Sequence, residues 1–93
     1  MARPRKNRNI CCSPSACYFK PRGIPVSELE EIILEPDELE ALRLADLHAF
    51  SHEESALQMD ISRATFGRII ERARKKIADG IINGKAIRIN KSE

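Results

Sequence analysis

From Phe66 onward the apolar positions recur at Ile69, Ile70, Ala73 and Ile77, spacings of three and four that draw one stripe along a helix. At about 100° per residue the opposite face carries Ala64, Arg68, Glu71, Arg72 and Lys75. Ser62 stands ahead of this pattern as an N-cap, and Gly80 or Gly84 ends it. Upstream, Ser51 with Glu54 three residues later opens a shorter helix over "HEESALQM". Asp60 closes that helix, because Asp tolerates the left-handed backbone better than most residues. An earlier helix begins around "PDELEALRLADLHAF", with Asp37 as its cap, Glu40 as the capping-box partner and Pro36 just outside. Its apolar residues Leu39, Ala41, Leu42, Leu44, Ala45 and Leu47 spread around much of the helix, which therefore needs contact on more than one side.

Outside the helices the pattern weakens. Residues 1–27 hold four of the five prolines and no sustained helical period, which predicts a basic arm followed by an extended segment, "ACYFKPRGIP". "SELEEIIL" adds a helical turn, and "KAIRI" reads as a short strand. The expected organisation is an arm and extended segment over 1–27, a helix-turn-helix domain over 28–84, and a short strand and tail over 85–93. The fold class is mainly α, with a short β pairing near the C-terminus between "KAIRI" and "CYFKP", within or between chains.

With 93 residues and 42% hydrophobic content, one small domain is what the chain can support. No apolar run approaches the roughly 20 residues that span a bilayer, and "MARPRKNRN" lacks the apolar segment of a secretory signal, so the cytoplasm is the expected compartment. The net charge of +2 conceals a partition: +4 over residues 1–30, −8 over 31–60 and +6 over 61–93. Two basic blocks flanking an acidic one can share a face in the folded chain, and such a face holds a polyanion.

Two helices joined by a short turn, the second exposing a basic face, make the helix-turn-helix pattern. Ala56 lets the second helix approach, Ile61 plugs the turn, and Phe66 and Ile69 seat the crossing. The segments "RPRKNR", "YFKPRGIP", "LEALRLAD", "SRATFGRIIERARKKIAD" and "GKAIRI" resemble the predicted DNA-binding family catalogued as domain of unknown function 134, also called uncharacterised protein family 0251. The resemblance covers nearly the whole chain. It implies a helix-turn-helix similar to region four of the primary sigma factors, and DNA binding without a named target. Asp60 departs from it, standing at a turn position where relatives commonly have glycine.

On this reading the third helix lies in the major groove with its N-terminal half toward the bases. Arg63, Thr65 and Arg68 are the candidates for base-edge contacts, since arginine bonds guanine O6 and N7 in bidentate fashion. Arg72, Lys75 and Lys76 are candidates for phosphates, joined by Ser62 and the helix N-terminus. Gly67, on the flank, admits either the sugar-phosphate backbone or a neighbouring helix. Arg3, Arg5 and Lys6 have the composition of a minor-groove arm, or of a tail that adds nonspecific attraction. The expected function is a sequence-specific transcriptional regulator. The alternative is a protein-interaction adaptor that contacts RNA polymerase or another transcription factor through acidic residues of the first two helices, Glu38, Glu40, Asp46, Glu53 and Glu54.

No enzymatic constellation or cofactor motif emerges. Cys11, Cys12 and Cys17 are the residues with metal-ligating chemistry, but adjacent cysteines followed by a gap do not match the paired C-x2-C spacing of zinc sites, so no metal is expected. His48 and His52 fall either side of a helix break. A homodimer is expected, from the apolar girth of the first helix and from a strand too short to stand alone.

Overall fold

Each helix start is fixed by an acceptor for N–H groups that the first turn leaves without an intrahelical partner. The computed structural model describes residues 17–90. Within them α1 runs Pro36–Leu42, α2 His52–Met59 and α3 Arg63–Asn83. The Oγ of Ser51 accepts from the Glu54 N–H at 3.0 Å, and that of Ser62 from the Thr65 N–H at 3.1 Å. Helix α1 departs from expectation. Its cap is Glu35 rather than Asp37, Pro36 is the first helical residue, and the capping-box partner is Glu38, whose Oε1 accepts the Glu35 N–H at 2.8 Å. Proline fits there because its missing N–H would have had no partner. α1 runs on into a π-helical turn, Arg43–Leu47.

A three-stranded sheet closes the helices off. Strands β1 (Tyr18–Phe19), β2 (Glu31–Leu34) and β3 (Ala86–Ile89) lie in the order β1-β3-β2. β3 pairs antiparallel with β1 (Tyr18↔Arg88) and parallel with β2 (Ile32↔Ile87). The expected pairing of "KAIRI" with "CYFKP" thus forms within one chain. In "SELEEIIL" the expected helical turn is limited to the 3-10 helix Val26–Glu28, which takes in its first two residues, and its second half is strand β2. Ile32 and Leu34 are buried while Glu31 and Ile33 are exposed, the period of two that a strand imposes. On the outer edge of β2, Lys76 Nζ donates to the Ile33 carbonyl at 2.7 Å and so occupies one of the open acceptors there.

The core has two parts that meet at Leu42. Phe66, Ile69 and Ile70 of α3 close on Ala41 of α1, Leu44 of the π turn, and Ala56 and Met59 of α2. Further along α3, Ala73 packs with Leu34 of β2 and Ile89 of β3. Full burial of a large aliphatic or aromatic side chain contributes about 1.5–3 kcal/mol, so α3, touching every layer, organises the fold. Apart from Leu47, which is 74% exposed, the apolar residues of the first helix are at least partly buried within the chain, and β3 finds its partners there too, so neither feature calls for a second copy.

Candidate nucleic-acid interface

The turn between α2 and α3 is three residues long, and its backbone explains its sequence. Asp60 takes φ 61°, ψ 45°, the left-handed conformation. Its N–H and that of Ile61 return to the carbonyls of Leu57 and Ala56, at 3.1 and 3.0 Å, the paired bonds that finish a helix on a left-handed residue. Ile61 packs against the first core cluster. Ser62 then starts α3 and donates its hydroxyl to Thr65 Oγ1 at 2.9 Å; Thr65 Oγ1 also lies 3.4 Å from Arg68 Nη2. Ser62, Thr65 and Arg68 are thereby strung together at the exposed end of α3.

The cations of α3 divide into two sets. Arg63, Arg68 and Lys75 are exposed and form no ion pair among the described residues. Arg68 and Lys75 point away from the core stripe, with Glu71 on the same face. Arg72, Arg74 and Lys76, on the two flanks, are bonded to acids of α1 and of the turn that follows it. Arg74 meets Asp46 in a two-point contact at 2.7 and 3.1 Å, which holds the Asp46 carboxyl below its usual range and raises Arg74. Arg72 Nε and Lys76 Nζ converge on Glu38, at 2.5 and 2.8 Å.

Glu38 has no exposed surface. Desolvation, the largest single influence, pushes its carboxyl up, but the Glu35 N–H, Lys76 and Arg72 together outweigh it and hold the group below the ordinary glutamate range. Arg72 and Lys76, expected on phosphates, are bonded within the chain and hold α3 onto α1. The reason is a carboxylate 34 residues upstream of Arg72. No pattern within α3 reveals it, although reading Glu35 rather than Asp37 as the cap would have put Glu38 at the buried N3 position.

The acidic surface also shrinks. Glu38 and Glu40 are buried, Glu40 against Arg43, and Asp46 is taken by Arg74, leaving Glu53 and Glu54 exposed. Gly67 faces open space, and a Cβ there would meet no protein atom within 4 Å, so no neighbouring helix is admitted. The glycine that permits close packing is Gly80, where a Cβ would come within 2.9 Å of Cγ1 and Cδ1 of Ile87.

The match to known families bears on what this surface is for. The family described as "Protein of unknown function DUF134" matches residues 1–93. The chain belongs to this family. DUF134 relatives include a UPF0251 protein of Desulfosudis oleivorans, 56% identical over 96% of this chain and 64% of its own length. A UPF0251 protein of Caldanaerobacter subterraneus is also 56% identical, over 96% of this chain and 75% of its own. One from Dehalococcoides mccartyi is 53% identical, with 96% and 76% covered. The chain spans just under two thirds of the first of these DUF134 proteins and about three quarters of the other two. No solved structure matches it.

Arg3, Arg5, Lys6, Cys11 and Cys12 lie outside the described residues. Cys17 is a free, half-buried thiol, and no group of three or more His, Cys, Asp or Glu side chains suited to a metal occurs among the described residues. His52 sits edge-on to Phe66 at 5.2 Å and His48 stacks on Phe50 at 5.9 Å, across the break between the π turn and α2. Among the described residues no helix is long and apolar enough to cross a membrane.

Proposed function

We propose that this DUF134 chain binds double-stranded DNA as a transcriptional regulator, with the N-terminal half of α3 in the major groove. One observation carries the reading: the cations on the flanks of α3 are paired with acids of α1 and its following turn, while Arg63 and Arg68, in the first two turns of α3 after a three-residue link from α2, are exposed and form no ion pair among the described residues. Arg63 and Arg68 take the base edges, with Thr65 holding Arg68 in place. Lys75 and the capped N-terminus at Ser62 take phosphates. Arg72, half exposed and bonded to Glu38, is assigned to holding α3 on α1 rather than to the DNA. Such a role is non-catalytic and belongs in the cytoplasm. The adaptor alternative loses support, because three of its five acidic residues are buried or paired.

The test is selection from genomic DNA fragments, followed by titration of the best fragment and of random DNA. Arg68→Ala should cost roughly 1–3 kcal/mol on the selected fragment and relax preference at one base pair. Lys75→Ala should weaken every sequence alike and lower the salt slope by about one. A wild-type protein that ignores both kinds of DNA at low salt would sink the reading.

A further inference from the structure

Glu71 is the only acid in the first half of α3, and it stands exposed on the outer face with Arg68 and Lys75. Its carboxylate forms no hydrogen bond or ion pair among the described residues, although Lys75 follows it by four, the spacing that favours a pair on a solvated helix. The other cations near it are directed elsewhere. Arg68 Nη2 lies 3.4 Å from Thr65 Oγ1, Arg72 is bonded to Glu38 and Arg74 to Asp46. Side chains of a helix lean toward its N-terminus, so Glu71 leans over the turn that holds Gly67 and Arg68. Residue 67 has no side chain to stand in the way, and a Cβ there would meet no protein atom within 4 Å.

A carboxylate on the surface that meets DNA repels phosphates and weakens binding to every sequence alike, unless a base contact offsets the loss. Ionised, it can only accept hydrogen bonds. In the major groove guanine presents the acceptors O6 and N7, thymine the acceptor O4, and adenine an N7 acceptor beside its N6 donor; cytosine alone presents a donor, N4, without an acceptor of its own.

We propose, in an inference that rests on the DNA reading, that Glu71 determines specificity by accepting a hydrogen bond from cytosine N4 at the base pair next to the guanine read by Arg68. Three residues advance a helix by about 4.5 Å, against about 3.4 Å per base along a DNA strand, so side chains at 68 and 71 address neighbouring pairs. Arg68 binds where acceptors are gathered. Glu71 admits a donor and rejects the acceptors of guanine, thymine and adenine at its own pair.

Selection from a random-sequence library of double-stranded DNA by the full chain tests this, with Glu71→Gln and Glu71→Ala run alongside. The side chain is exposed and unbonded, so both variants fold as the wild type does. The wild-type protein should fix a cytosine beside the guanine that Arg68→Ala leaves unfixed. Glu71→Gln should replace that cytosine by adenine, which glutamine bonds at N6 and N7, and Glu71→Ala should accept any base there. Each variant should lose roughly tenfold of the preference of the wild-type site over random DNA. If both variants select the wild-type sequence and merely bind all DNA more tightly, Glu71 reads no base, and this inference is overturned while the DNA reading stands. A wild-type protein that retains no DNA removes the DNA reading itself, and the role of Glu71 with it.

Discussion

Arg72 of α3 donates through Nε to the buried carboxylate of Glu38 in α1, at 2.5 Å. Removing the acid leaves Arg72 with Asp37, 3.8 Å away, and Lys76 with the Ile33 carbonyl, and takes the capping-box partner from the Glu35 N–H. Loss of one member of a fully buried pair costs 3–5 kcal/mol, but Arg72 is half exposed and rehydrates. Glu38→Gln should therefore cost about 2 kcal/mol, and Arg72→Ala about half that, seen as a lower urea midpoint at unchanged slope. If Arg72 works inside the protein, Arg72→Ala leaves the DNA affinity of the folded fraction intact.

Acid should loosen the same contacts. Glu38 and Asp46 both titrate below their ordinary values of 4.5 and 3.8 when folded. For Glu38 the opposing influences are desolvation, which raises it, and three hydrogen bonds that prevail; for Asp46 the lead cause is its bond to Arg74. A carboxyl depressed by folding gives its full stabilisation above its unfolded pKa and loses it as pH falls toward the folded value. Stability should be flat from neutral pH to about 5 and fall below it. Asp46→Asn and Glu38→Gln should each flatten the fall, measured as Tm against pH.

Gly67→Ala and Gly80→Ala should move stability in opposite directions. At Gly67 the methyl enters open space and the helix gains up to about 1 kcal/mol. At Gly80 it displaces Ile87, and overpacking of about 1–3 kcal/mol outweighs the same propensity gain. Paired denaturant curves decide the signs. A Gly67→Ala protein that is stabilised but weaker on DNA would mean that a phosphate backbone passes close to residue 67.

Asp60→Gly should stabilise the chain by roughly 0.5–1 kcal/mol, since glycine adopts the left-handed backbone of the turn without strain. Asp60→Val should lower Tm, because a β-branched residue at positive φ strains the turn.

Helices α2 and α3 and the turn between them were legible because their signals are local. Ser51, Asp60 and Ser62 act within three residues of themselves, and the stripe from Phe66 to Ile77 needs only a period. Strand β2 was not legible: four residues after an acidic, helix-like run leave no span for a period of two to declare itself, and its partner, Ile87, is far along the chain. The site was half legible for the same reason. Periodicity gives the angle of Arg68 and of Arg72 around the helix, but whether an acid waits at that angle depends on a different element.

The strand order gives the chain a history. β3 is the middle strand of the sheet, yet it leaves the ribosome after both strands that it joins. Until Ala86–Ile89 emerge, β1 and β2 have no strand between them to bond. The last element of the chain thus joins two segments that lie far ahead of it, and its Ile89 N–H, bonded to the Cys17 carbonyl at 2.8 Å, ties the extended segment near Cys17 to the helical body.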